Sequence, residues 1–199
     1  MMVRGGRRPR PSGTREAILR AARRAFHERG YDGATIRGIA ADAGVDPALV
    51  YHFYGSKERL FAAAMEVPFT PSEVIPALLE GGAEGLGERI LRFFLEVNDR
   101  PGAGPFVALI RSASSNERAA AMLRGFMARE VIGRLARALG VPDAELRATL
   151  VGSQLAGLAM ARYVLRVEPL ASADHDTLAA WIAPTLQRYL TGEPPAGAR

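Results

Sequence analysis

The sequence predicts an all-α protein: an N-terminal three-helix unit containing a helix-turn-helix, followed by an antiparallel helical bundle. Three observations predict it. Apolar residues recur at helical spacing from Ile18 onward, and the chain beyond residue 60 has no strand alternation and no internal repeat. The run Gly44-Val45-Asp46-Pro47 sets a helix stop directly against a helix start, between two short amphipathic stretches. Charge is also segregated: residues 1–60 hold 12 Lys and Arg against 6 Asp and Glu, whereas residues 61–199 hold 14 against 15.

The elements follow in order. Residues 1–12 carry Arg4, Arg7, Arg8 and Arg10 among Pro and Gly with no acid, which predicts a disordered basic arm. Residues 13–60 form the helix-turn-helix unit, with the motif itself over about 35–54. Thr14 is placed to cap a first helix whose inward face is Ile18, Ala21, Ala22, Ala25 and Phe26, and Gly30 closes it. Thr35 caps a second helix with Ile36, Ile39, Ala40 and Ala43 inward, ended by Gly44. Asp46 caps a third helix, and Pro47 sits at its first position, where a missing N–H costs nothing. Gly55 and Ser56 end that helix near Tyr54, and Ser56 caps a fourth containing Lys57, Glu58 and Leu60.

Composition excludes several functions. There is no Cys, hence no disulfide framework, thiolate nucleophile or Cys-ligated zinc. His27, His52 and His175 are far apart and match no metal-ligand spacing. There is no Gly-rich phosphate loop and no paired His/Glu motif, so neither an enzyme, a metal site nor a cofactor is expected. The twin Arg near the start precede no apolar segment, and the longest uncharged run, Ala148 to Ala161, falls short of the ~20 residues that span a bilayer. A cytoplasmic protein without a membrane partner is expected. The basic first third is the electrostatic footprint of a nucleic-acid-binding end.

The run TREAILRAARRAFHERGYDGATIRGIAADAGVDPALVYHFYGSKERLF resembles the DNA-binding domain of TetR-type (tetracycline-repressor-like) transcriptional regulators. The resemblance is carried by Ile18, Ala22, Phe26, Gly30, Tyr31, Thr35, Ile39, Ala40, Ala43, Gly44, Val45, Val50, Tyr51, Lys57 and Leu60. It implies that Tyr51 and Lys57, the only lysine in the chain, clamp DNA phosphates, and that the Thr35 hydroxyl reaches a phosphate as well. A compact ammonium on a flexible stem suits a phosphate as a point charge, whereas Arg favours a planar fork. Such contacts fix register on the duplex but do not read sequence. Base reading falls to the exposed face of the third helix: Pro47 and Ala48 against a thymine methyl, His52 against a base edge. Arg37 is placed for a guanine or a phosphate. Where the family usually has an aromatic or His followed by Phe, this chain has Phe53-Tyr54. Tyr54 is therefore expected in the core with a partner for its hydroxyl, and Phe53 on the DNA side without a polar contact.

Residues 61–199 are expected to form a helical regulatory and dimerisation domain. Thr70-Pro71-Ser72-Glu73 reads as a capping box. Leu86, Ile90, Phe94 and Val97 form a helical stripe, Asn98 to Gly104 a loop, and helical patterns resume over about 105–115 and 117–139 before Gly140-Val141-Pro142. From Glu145 to Val167 apolar or small residues occur all round, so this helix must be covered on every side. Either its own bundle covers it, or a second copy does. In the second case Leu150, Ser153, Gly157 and Ala161 meet Trp181, Thr185 and Tyr189 of the last helix in a four-helix homodimer interface, which the resemblance also implies. Pro184 should kink that last helix. A dimer would set two recognition helices about 34–36 Å apart, or somewhat further, and call for a quasi-palindromic double-stranded DNA operator. Phe93, Phe94, Phe106, Met122, Phe126, Met127, Met160 and Tyr163 could line a pocket for an apolar or aromatic small-molecule effector, though the same side chains suit an ordinary core. The expected function is that of a ligand-responsive repressor; the alternative is an architectural DNA-binding protein with weak sequence preference and no ligand control.

Overall fold

The computed structural model describes residues 11–100, 107, 110, 111, 113, 116–194 and 197. Most of the basic arm, part of the 101–115 stretch and Phe106 lie outside the described residues. Among the described residues every regular element is a helix. Helix α1 spans Pro11–Gly33, so it takes in Pro11 and Ser12, which the sequence assigned to the arm. Thr14 lies buried inside this helix and does not cap it. Gly30, at φ 70° and ψ 178°, breaks the helical path ahead of Tyr31.

The next three helices start on the residues the sequence singles out, and the first two of them also stop there. Helix α2 (Ile36–Ala43) is capped by the Thr35 hydroxyl, which accepts the Gly38 N–H at 3.1 Å. Gly44 ends it at φ 68°, a left-handed conformation that Gly adopts at little cost. The Asp46 carboxylate accepts the Ala48 N–H at 2.7 Å and opens helix α3 (Pro47–Tyr54). Ser56 Oγ accepts the Arg59 N–H at 3.1 Å and opens α4 (Lys57–Met65).

Helix α5 (Pro71–Leu79) departs from the capping-box reading. Thr70 makes no side-chain cap, Glu73 pairs with Arg59, and the Ser72 N–H, which has no partner within its own helix, is taken by the Glu58 carboxylate of α4 at 2.7 Å. A residue from another helix thus satisfies the orphan donor. Helix α6 (Leu86–Asp99) runs through Asn98 and Asp99, which the sequence assigned to a loop. Residues 117–139 form helix α7 (Glu117–Phe126), a π-helical stretch (Met127–Ile132) and helix α8 (Gly133–Leu139), ended by Gly140 at φ 61°. Helix α9 (Ala144–Ala159) leads into a second π-helical stretch (Met160–Val164). The last helix, α10 (His175–Thr191), continues through Pro184 to Thr191.

Two cores form. The first gathers Ile18, Phe26, Ile39, Val50, Leu60 and Phe61 from α1–α4, and receives Met122 and Phe126 from α7. The Phe126 ring stacks on Phe61 at 4.5 Å and meets Tyr31 edge-on at 5.5 Å. Each fully buried ring of this kind is worth about 1.5–3 kcal/mol of transfer free energy, so α7 is a structural part of the N-terminal unit. The second core holds Leu86, Leu91 and Leu95 of α6 with Leu186 and Leu190 of α10. Gly87 lets those two helices touch: a Cβ there would lie 2.5 Å from the Gln187 nitrogen.

Candidate nucleic-acid interface and bundle cavity

Val50 and Tyr54 anchor α3 inward, at 1% and 6% exposure. The Tyr54 hydroxyl donates to the Arg15 carbonyl at 3.2 Å, the partner its burial demands. Ala48, Tyr51 and His52 consequently face solvent, Pro47 is half-buried, and Tyr51 is 55% exposed. Phe53 is half-buried against the first core and meets the His52 ring edge-on at 5.4 Å. Leu49, 40% exposed on α3, is an apolar side chain on this surface that the sequence reading did not single out. Arg37 is exposed on α2, and Thr35 uses only an acceptor lone pair in its cap, which leaves its O–H for a phosphate.

Lys57 opens α4 and is half-buried. Its ammonium donates to the Asp32 carbonyl at 3.3 Å and lies 4.7 Å from the centre of the Tyr31 ring, a cation–π distance. Burial, together with the Arg129 charge, holds its pKa below the ordinary lysine value.

Beneath Lys57 a polar network joins the N-terminal unit to the bundle. Tyr31 donates to Glu130 Oε1 at 2.7 Å. The Arg134 guanidinium bridges Glu130 Oε2 at 2.9 Å and Glu58 Oε2 at 3.2 Å, and Arg129 pairs with Asp32. Glu58 is only 5% exposed, so its charge depends on Arg134 and the Ser72 N–H. Burial and the adjacent Glu130 push the Tyr31 phenol well above its usual range. In sequence Glu58 looks like an ordinary acidic residue in a first helical turn; nothing local marks its burial.

A cavity of about 230 Å³ lies between α5, α6, the first π-helical stretch, α8 and α9. Of the residues expected in a pocket, Phe93, Phe94 and Met127 line it. Met122 and Phe126 belong instead to the first core, because α7 packs across α1. Met160 and Tyr163 are not part of the lining, and Phe106 lies outside the described residues. Ile75, Ile90, Val97 and Val151 complete a wall that the sequence did not assign.

The residues expected at a dimer interface lie on α9, the second π-helical stretch and α10. Leu150, Ser153, Gly157 and Trp181 are exposed, Trp181 by 81%. Ala161, Thr185 and Tyr189 are half-buried. Leu146 is exposed beside them, so α9 is not covered all round by its own bundle.

Residues 18–64 match the family described as bacterial regulatory proteins, tetR family, and residues 84–190 match the tetracyclin repressor-like C-terminal domain. The chain belongs to the TetR family. A crystal structure of a TetR-family regulator from Streptomyces coelicolor A3 is 46% identical, covering 94% of this chain and 99% of that one, with a TM-score of 0.47. The HTH-type transcriptional repressor AcnR of Corynebacterium glutamicum is 43% identical over 54 residues, 27% of this chain and 29% of AcnR. The HTH-type transcriptional regulator BetI of Rhizobium meliloti is 36% identical over 33% of this chain and 39% of BetI. The match therefore spans about a third of the length of these two relatives. No helix among the described residues is long and apolar enough to cross a membrane.

Proposed function

We propose that the chain is a ligand-responsive transcriptional repressor that binds a quasi-palindromic operator as a homodimer, in the cytoplasm. The observation that carries this reading is the solvent-facing side of α3, where Ala48, Tyr51 and His52 stand clear of a firmly packed inner face. Pro47, Ala48 and His52 read base edges; Thr35, Arg37, Tyr51 and Lys57 hold phosphates. To reach a phosphate, Lys57 leaves the Asp32 carbonyl and the Tyr31 ring, an exchange favoured by the larger charge it meets.

The exposed apolar side chains of α9 and α10 support dimerisation, since a largely exposed Trp and exposed Leu residues on two contacting helices are the surface a partner would cover. The π-helical stretch Met127–Ile132 supplies the coupling. Met127, Val131 and Ile132 line the cavity, while Arg129 and Glu130 of the same stretch hold Asp32 and Tyr31. An effector that fits the cavity better in one arrangement of this stretch shifts α4 and the separation of the two α3 helices.

Selection of bound duplexes from a random library tests the reading. Enrichment of a quasi-palindrome is the expected result. Salt-sensitive binding without enrichment would instead favour an architectural protein.

A further inference from the structure

Among the described residues, Asn98 is the polar side chain in an otherwise apolar wall. It lines the cavity from the end of α6, at 8% exposure. Its Nδ2 donates to the Phe94 carbonyl at 2.7 Å, which fixes the amide orientation: turned over, Oδ1 would face that carbonyl oxygen. Oδ1 is left without a hydrogen-bond partner among the described residues. A buried acceptor left unmade is costly and calls for an explanation. No charged side chain lines the cavity among the described residues, so a charged ligand would enter without a counter-ion. The volume, about 230 Å³, lies below the ~300–1,000 Å³ typical of drug-sized ligands.

We infer that the effector is a small, electrically neutral, largely apolar molecule with one hydrogen-bond donor, a hydroxyl or amide N–H, and that the Asn98 amide, whose Oδ1 lies buried behind the lining, turns to receive it. The inference rests on the cavity being the effector site. It makes Asn98 the residue that separates donor-bearing ligands from plain hydrocarbons of the same shape.

The test uses two near-isosteric probes, 1-naphthol and 1-methylnaphthalene, titrated calorimetrically into the full-length protein. In a purely apolar cavity the hydrocarbon binds more tightly, because the naphthol hydroxyl would lose its water unpaired. With Asn98 as acceptor the order inverts, and naphthol binds about tenfold more tightly, the factor that about 1.4 kcal/mol represents. In Asn98→Leu the preference returns to the hydrocarbon. The wild-type comparison stands on its own should the variant fail to fold. Two probes bound with equal affinity, or the hydrocarbon bound more tightly, would overturn the role of Asn98 and leave the cavity as the effector site. Binding of neither probe would overturn both.

Discussion

Lys57 is where side-chain chemistry and role meet most closely. In a chain that writes its other cations as Arg, one ammonium is docked on a carbonyl and a ring, beside the helix expected to read DNA. Lys57→Ala should weaken binding to every duplex by a similar factor and flatten the salt dependence by about one unit for each phosphate no longer neutralised. Measuring affinity across a salt series for the selected operator and for an unrelated duplex checks both parts. An unchanged slope would contradict the phosphate role. His52→Ala should act differently, relaxing selection at one base position at a cost of about 1–3 kcal/mol there while leaving the slope unaltered. Sequencing the duplexes that the variant selects would show it.

At the scale of elements, the caps were legible because each is local: Thr35, Asp46 and Ser56 precede their helices and accept N–H groups two or three residues on. Thr14 misled because an earlier Pro-containing turn begins α1 ahead of it. The Thr70 box misled because the Glu73 side chain pairs with Arg59 of another helix and its N–H goes to the Thr70 carbonyl, while Glu58 takes the Ser72 N–H. The same limit hid the cavity wall and the Glu58–Arg134–Glu130–Tyr31 network, since periodicity gives a residue's inward face but not which helix meets it. Arg134→Met should therefore cost more than a surface pair, about 1–3 kcal/mol in urea unfolding once discounted for the partial exposure of Arg134, because it leaves buried Glu58 uncompensated. It should also blunt the release of DNA by effector. A second junction, between α6 and α10, should respond to pH. Burial raises the Asp99 carboxyl, but the His175 ring nitrogen at 2.6 Å and the Arg162 guanidinium at 3.7 Å outweigh it and hold the pKa below the ordinary aspartate value. The stabilisation is present above the unfolded pKa and lost as pH falls through the lower folded one. Below about pH 4, the melting temperature of the wild type should fall more steeply than that of Asp99→Asn. Parallel profiles would rule out Asp99 as the source of the acid sensitivity.

The whole molecule divides its labour: one core anchors α3, a second surrounds a cavity, and α9 and α10 leave Leu146, Leu150 and Trp181 exposed. Sequence pattern left two explanations for a helix apolar all round, and the exposure of Leu150 and Trp181 favours the second. Leu150→Glu combined with Trp181→Glu should leave the fold intact, yield a monomer in sedimentation, and reduce operator affinity to the level of non-specific duplex. The most direct measurement of a dimer that reads one site is the mass of the complex at saturation on selected duplexes of increasing length. Two chains on every duplex, whatever its length beyond the operator, is the predicted result. One chain per operator, or a number of chains that grows with duplex length, would contradict it.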